Sequence, residues 1–145
     1  MFSKSIRKLI IVTPFLFFIS LYLNGCSSVD DEMGIGPVKE VKLGAIDKNL
    51  VEKGQQTFNI KCAACHKFDS RLVGPPLQGV TKRRKPEWIM NMILNPQQMT
   101  QENPAAQELF ATYLVQMTFQ DVTQDDARAI LEYFRSLDDG SQSLK

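Results

Sequence analysis

Cys62-Ala63-Ala64-Cys65-His66 places two thiols and an imidazole within five residues. Residues three apart on a helical turn point to one side, and the small Ala63 and Ala64 leave the approach to both sulfurs open. This is the spacing of c-type haem attachment: two thioethers to one porphyrin edge, with the following imidazole turned under the ring towards iron. The same set has two other possible uses. A structural zinc site takes four protein ligands, and this chain has one histidine and no suitable carboxylate cluster beside the pair. A redox disulfide lacks the strand-then-helix context in which such a pair works.

Since His66 is the only histidine, bis-histidine ligation within one chain is removed, and methionine is the natural ligand for the second axial position. Met33 falls in a loose segment, and Met90 and Met92 fall in a predicted helix, where methionine usually packs. Met117 is the expected ligand, because it lies in an irregular stretch before the last helix, far enough along the chain to return over the opposite face. Met99, in a predicted loop after Pro96, is the alternative.

The elements that must position these residues read as helices. Asp47 suits an N-cap for a helix through Leu50, Val51, Gly54 and Phe58. Pro86 suits the first turn of a second, carrying Trp88, Ile89, Met92 and Ile93 and ending before Pro96. A third opens at Asn103-Pro104 with Ala106, Leu109, Phe110 and Tyr113. Thr123 and Asp126 form a capping-box pattern ahead of the stripe Ala127, Ile130, Leu131, Phe134 and Leu137, and Gly140 ends it. No segment shows sustained alternation or hairpin chemistry, so the expected fold is all-α, with three to five helices. So small a core often recruits a cofactor to complete its interior.

The chain of 145 residues is 43% hydrophobic, but much of that lies in the apolar run from Leu9 to Leu23, preceded by Lys4, Arg7 and Lys8. Residues 1–25 read as a secretory signal peptide. Leu23-Asn24-Gly25-Cys26 resembles the lipobox of bacterial lipoproteins, which implies acylation of Cys26 and a firm membrane anchor. Removal of the signal takes away three bases and no acid, turning a formal charge of +1 into about −2, which argues against a nucleic-acid partner. Residues 26–45 read as a flexible tether of roughly 25 Å root-mean-square span. Residues 46–140 form the folded domain and 141–145 a tail.

Over roughly Asp47 to Asp139 the sequence resembles the class I monohaem cytochromes c. Cys62, Cys65 and His66 match the attachment motif. Gly74-Pro75-Pro76-Leu77 is similar to a family segment whose first proline carbonyl accepts a hydrogen bond from the proximal imidazole, which implies that Pro75 orients His66. Met117-Thr118-Phe119 and the capped helix after it resemble the ligand loop and C-terminal helix, although relatives often have proline where Thr118 stands. Gly54 and Phe58 resemble the small-plus-aromatic pair that crosses the last helix, at Ile130 and Tyr133. Trp88 would pack on the haem, donate to a propionate, or simply fill the core. Lys82-Arg83-Arg84-Lys85 reads either as a docking patch for an acidic redox partner or as a solvated loop.

The resemblance implies a small cytochrome c fold around one covalent haem c. It further implies a monomeric single-electron carrier, anchored outside the cytoplasm, facing the periplasm or cell exterior. The chain would pass electrons between a redox protein donor and acceptor, from respiratory-chain components to a terminal reductase or oxidase. Arg84-Lys85-Pro86-Glu87-Trp88 and the stretch from Met117 also look like small lipoprotein cytochromes associated with nitrous-oxide reduction. The alternative is a haem sensor or peroxidase-like enzyme with a labile sixth ligand.

Overall fold

The computed structural model describes residues 32–142. The expected signal peptide, Cys26 and the end of the expected tail lie outside the described residues. Six helices run from Lys48 to Asp138: α1 (Lys48–Lys61), α2 (Val80–Arg83), α3 (Pro86–Leu94), α4 (Pro96–Glu102), α5 (Pro104–Tyr113) and α6 (Gln124–Asp138). Among the described residues there is no strand, and no helix is long and apolar enough to cross a membrane.

The first and last helices form the frame. Asp47 caps α1, its carboxylate accepting the N–H groups of Asn49 at 2.8 Å and Leu50 at 3.3 Å. Val51, Gly54 and Phe58 then form its buried face. At the N-terminus of α6 the Thr123 hydroxyl accepts the Asp126 N–H at 3.1 Å, and the Asp126 carboxylate accepts the Thr123 N–H at 3.0 Å. The shorter aspartate thus closes the reciprocal box that glutamate usually closes. The two helices cross at Gly54, where a Cβ would sit 2.0 Å from the Ala129 carbonyl oxygen. Beyond the crossing, Phe58, Phe68, Tyr133 and Phe134 form one aromatic cluster with centroids 5.4 to 6.3 Å apart.

Two helices exceed the sequence expectation, α2 and α4. Proline opens α3, α4 and α5. Asn95 is both the C-cap of α3 and the N-cap of α4, and Pro96 can open α4 directly after it because a first-turn position needs no N–H. Met99 therefore lies inside a helix and not in a loop, and it is fully buried. Asn103 caps α5 through the Ala106 N–H at 3.1 Å and also accepts the Trp88 indole N–H at 3.0 Å.

The expected tether is corrected over its described part. Residues 33–46 form a strap bound to α3, α4 and α6. Val38 is 2% exposed. Its N–H donates to the Asn91 side-chain oxygen at 3.0 Å, while the Asn91 amide nitrogen donates to the carbonyls of Val38 at 2.9 Å and Met33 at 3.0 Å. The Ile35 N–H donates to the Met99 sulfur at 3.0 Å and the Val41 N–H to Glu87 at 2.7 Å. Buried Glu132 accepts the Asp47 N–H at 3.0 Å, and Arg135 reaches the Gly44 carbonyl at 2.9 Å. Gly36 serves close approach, since a Cβ there would lie 2.4 Å from the Asn91 oxygen. Backbone groups answered by distant side chains leave no periodic trace, so composition alone suggested a loose chain.

Candidate functional site

The attachment motif begins where α1 stops. The Phe58 carbonyl accepts the N–H groups of Cys62 at 2.8 Å and Ala63 at 3.0 Å, and the Cys62 carbonyl accepts those of Cys65 and His66, both at 3.0 Å. This tight turn brings both cysteines and the imidazole to the wall of one cleft that is partly open to solvent. Neither cysteine is in a disulfide. Burial, followed by the neighbouring Cys65 thiol, pushes the Cys62 thiol up to about 11. It is a protonated thiol at neutral pH, unlike the acidic cysteine of a redox disulfide. Among the described residues no group of three or more His, Cys, Asp or Glu side chains is arranged to hold a metal ion, so the zinc alternative loses its donors.

The next loop folds back on the motif. The Cys65 carbonyl accepts the N–H of Val73 at 3.2 Å and of Gly74 at 2.9 Å. His66 is thereby pressed against backbone: a Cβ at Gly74 would sit 2.5 Å from the imidazole Cε1. His66 Nδ1 lies 3.2 Å from the Pro75 carbonyl oxygen. Burial lowers the imidazole below its ordinary value, opposed by that hydrogen bond, so the ring is neutral at physiological pH.

Met117 also lines the cleft, from the helix-free stretch between Leu114 and Thr123. Two of that stretch's residues, Leu114 (φ 58°) and Asp121 (φ 53°), adopt the left-handed conformation without being glycine. Met99 does not line the cleft, because its sulfur is turned towards the strap and accepts the Ile35 N–H. The alternative ligand is therefore corrected to a core residue. Trp88 lines the cleft with its ring, but its N–H is committed to Asn103. Packing remains its role, and donation to a propionate is removed.

The sequence reading missed several wall residues. Val80, Thr100, Leu109 and Phe110 line the cleft, and of α5 only Ala106 is buried. Phe110, Val115 and Val73 are 43%, 49% and 40% exposed at its edge. On the α5 stripe Ala106 and Leu109 pack on the core, and Arg71 stacks 4.7 Å over the Tyr113 ring. Phe110 and the nearby Val115 leave an uncovered apolar face at the cleft edge, the kind of surface a flat apolar cofactor would cover. That uncovered face, the two thiols and the oriented imidazole fit a covalent haem.

The basic run is partly engaged within the fold. Arg83 donates to the carbonyl of Gln78, and its guanidinium together with that of Arg84 lines the cleft. Arg84 stacks 4.9 Å over the Trp88 ring, and Lys85 pairs with Glu32 at 2.5 Å. Lys82, Arg83 and Lys85 nevertheless remain exposed.

Comparison with known proteins follows this geometry. The cytochrome c family profile matches residues 51–138. A solved cytochrome c from Rhodothermus marinus is 45% identical, with 77% of this chain and 96% of that chain covered, at a TM-score of 0.72. An engineered form of that cytochrome c matches with the same identity and coverage at 0.71. A second engineered form, bound to a carbene intermediate, matches at 0.69. No curated protein matches the chain.

Proposed function

Because the chain belongs to the cytochrome c family, we propose that it is a single-electron carrier whose iron is held between His66 and Met117. Its fold is all-α and its cofactor is one covalent haem c. When bound, the haem supplies an iron that changes by one electron. The residues do the rest. Cys62 and Cys65 form the thioethers, which prevent loss of the group. Pro75 fixes the proton on His66 Nδ1 and leaves Nε2 as the donor. Met117 would offer its thioether sulfur to the iron, which would raise the potential and leave no site for substrate. Leu109, Phe110 and Trp88 exclude water. The supporting observation is that His66 and Met117 line one cleft while Met99 lines none of it.

In this reading Cys26 carries the lipid anchor and the monomeric domain works outside the cytoplasm, on the periplasmic or outer face. It serves a redox donor and acceptor between a respiratory chain and a terminal reductase or oxidase. Nitrous-oxide reduction is the pathway its local motifs suggest. A pyridine haemochrome spectrum tests the attachment: a two-thioether spectrum is expected, and pigment released into acidified organic solvent defeats the reading. The far-red absorption band of thioether-ligated ferric iron should be present and lost in Met117→Ala.

The second reading, a sensor or peroxidase-like enzyme with a labile sixth ligand, draws on the helix-free stretch around Met117 and its two left-handed residues. The relative bound to a carbene intermediate adds to it. The single histidine, already used as His66, leaves no distal one for peroxide chemistry. Rapid carbon monoxide binding by the reduced protein would favour this second reading.

A further inference from the structure

We propose that the strap turns the lipid anchor into a short leash, so that the electron partner is a redox protein seated in the same membrane. This rests on the reading that Cys26 is acylated. A tether loose to residue 45 would reach roughly 60 Å at full stretch. The bound strap removes most of that reach. From Met33 to Val41 its backbone is held by Asn91, Met99 and Glu87. The stretch from Cys26 to Glu32 spans at most about 20 Å even fully extended. A domain of this size has a radius of gyration of about 13 Å, so the leash is shorter than the domain is wide.

The leash also ends at a particular corner. Glu32 pairs with Lys85 at 2.5 Å. The preceding residue, Arg84, lines the haem cleft. The chain leaves the domain at Lys85, next in sequence to the cleft-wall residue Arg84, so that corner remains within about 20 Å of the lipid surface however the rest turns. A partner in the same membrane meets the cleft without the carrier having to diffuse. A partner free in solution, or in a facing membrane, gains nothing from the arrangement.

The test uses the lipidated holoprotein on phosphatidylcholine–phosphatidylglycerol vesicles with a fluorophore on the headgroups, whose emission the haem quenches with distance. Inserting twenty Gly/Ser residues between Asp31 and Glu32 changes no described residue, and should reduce quenching at least twofold. Asn91→Ala, which frees the strap, should act in the same direction. Reduction by a long-chain alkylferrocene dissolved in the bilayer, one electron passing from each ferrocene to each oxidised protein, should slow several-fold with the insertion. Reduction by aqueous ascorbate should not.

Equal quenching and equal ferrocene rates with and without the insertion would overturn the leash. Intact mass separates the two levels of the claim: a Cys26 without acyl chains defeats the anchor reading, and the leash with it. Acylated protein that shows no insertion effect defeats the leash alone. Hydrogen exchange of the Val38 amide gives a lipid-free check, with strong protection expected and free exchange contradicting the bound strap.

Discussion

The Pro75 carbonyl oxygen and His66 Nδ1 lie 3.2 Å apart, and a carbonyl can only accept, so the ring's proton sits on Nδ1 and the Nε2 lone pair is free. The adjacent Gly74 makes this possible by leaving room for the ring. Gly74→Ala should push the imidazole off its position. Thioether attachment should survive, while unfolding stability falls by about 1–3 kcal/mol and the reduction potential shifts. A variant with wild-type potential and stability would show that the close approach is dispensable.

Met99→Leu separates the two methionines. The swap keeps volume but strips the Ile35 N–H of its acceptor inside the protein, at about 1–2 kcal/mol. The visible spectrum, including the far-red band, should be unchanged, while denaturant unfolding shifts to a lower midpoint. Loss of the band would put Met99 on the iron.

Gly54→Ala sets two effects against each other. Alanine in a helix interior gains about 1 kcal/mol over glycine. Here its methyl would meet the Ala129 carbonyl oxygen at 2.0 Å, and backbone cannot step aside as a flexible side chain would. The clash should win, with a net loss of about 2 kcal/mol measured by chemical denaturation. A stabilised variant would mean that the helices separate without cost.

Asp126 predicts an acid-sensitive contribution. The Lys53 ammonium at 2.9 Å, followed by the Thr123 hydroxyl and N–H, lowers its carboxyl from 3.8 to about 2. A depressed acid stabilises the fold above its unfolded value, so the contribution is complete above about pH 4 and disappears as pH falls to 2. Solvent screening limits it to about 1 kcal/mol or less. In Lys53→Met the carboxyl, followed by NMR titration, should rise towards its ordinary value. An unmoved titration would assign the effect to Thr123.

Glu132 is the charge whose loss should cost most. Burial pushes its carboxyl up, but Arg128, the Asp47 N–H and Arg135 outweigh that and hold it below the ordinary range. Glu132→Ala leaves the Arg128 guanidinium and the Asp47 N–H unanswered and Arg135 with only the Gly44 carbonyl, at about 3 kcal/mol or more by thermal or denaturant unfolding. A loss under 1 kcal/mol would show that the arginines find water instead.

The parts of this protein written in local chemistry could be read from sequence. Cys62, Cys65 and His66 declare themselves by spacing, and Asp47 and Thr123 by capping. The crossing at Gly54 was implied by the family resemblance of the Gly54 and Phe58 pair. What escaped depended on distant partners. Nothing near Val38 announces that Asn91 will answer both its backbone groups. Pro96 carries the same local signal whether the chain leaves a helix or begins another. The apolar residues of α5 have helical spacing whether they are buried or exposed, and only the structure shows Ala106 buried and Phe110 exposed on the cleft wall.

Asn91 is wholly buried, and its amide is engaged by a segment that precedes the first long helix. The domain therefore begins by valence and not by helix. A shortened version starting at Asp47 would keep every helix from α1 onward and the attachment motif, yet leave an interior carboxamide with no protein donor or acceptor for either end. Anyone preparing a lipid-free version for crystals or electrodes should cut just ahead of Glu32.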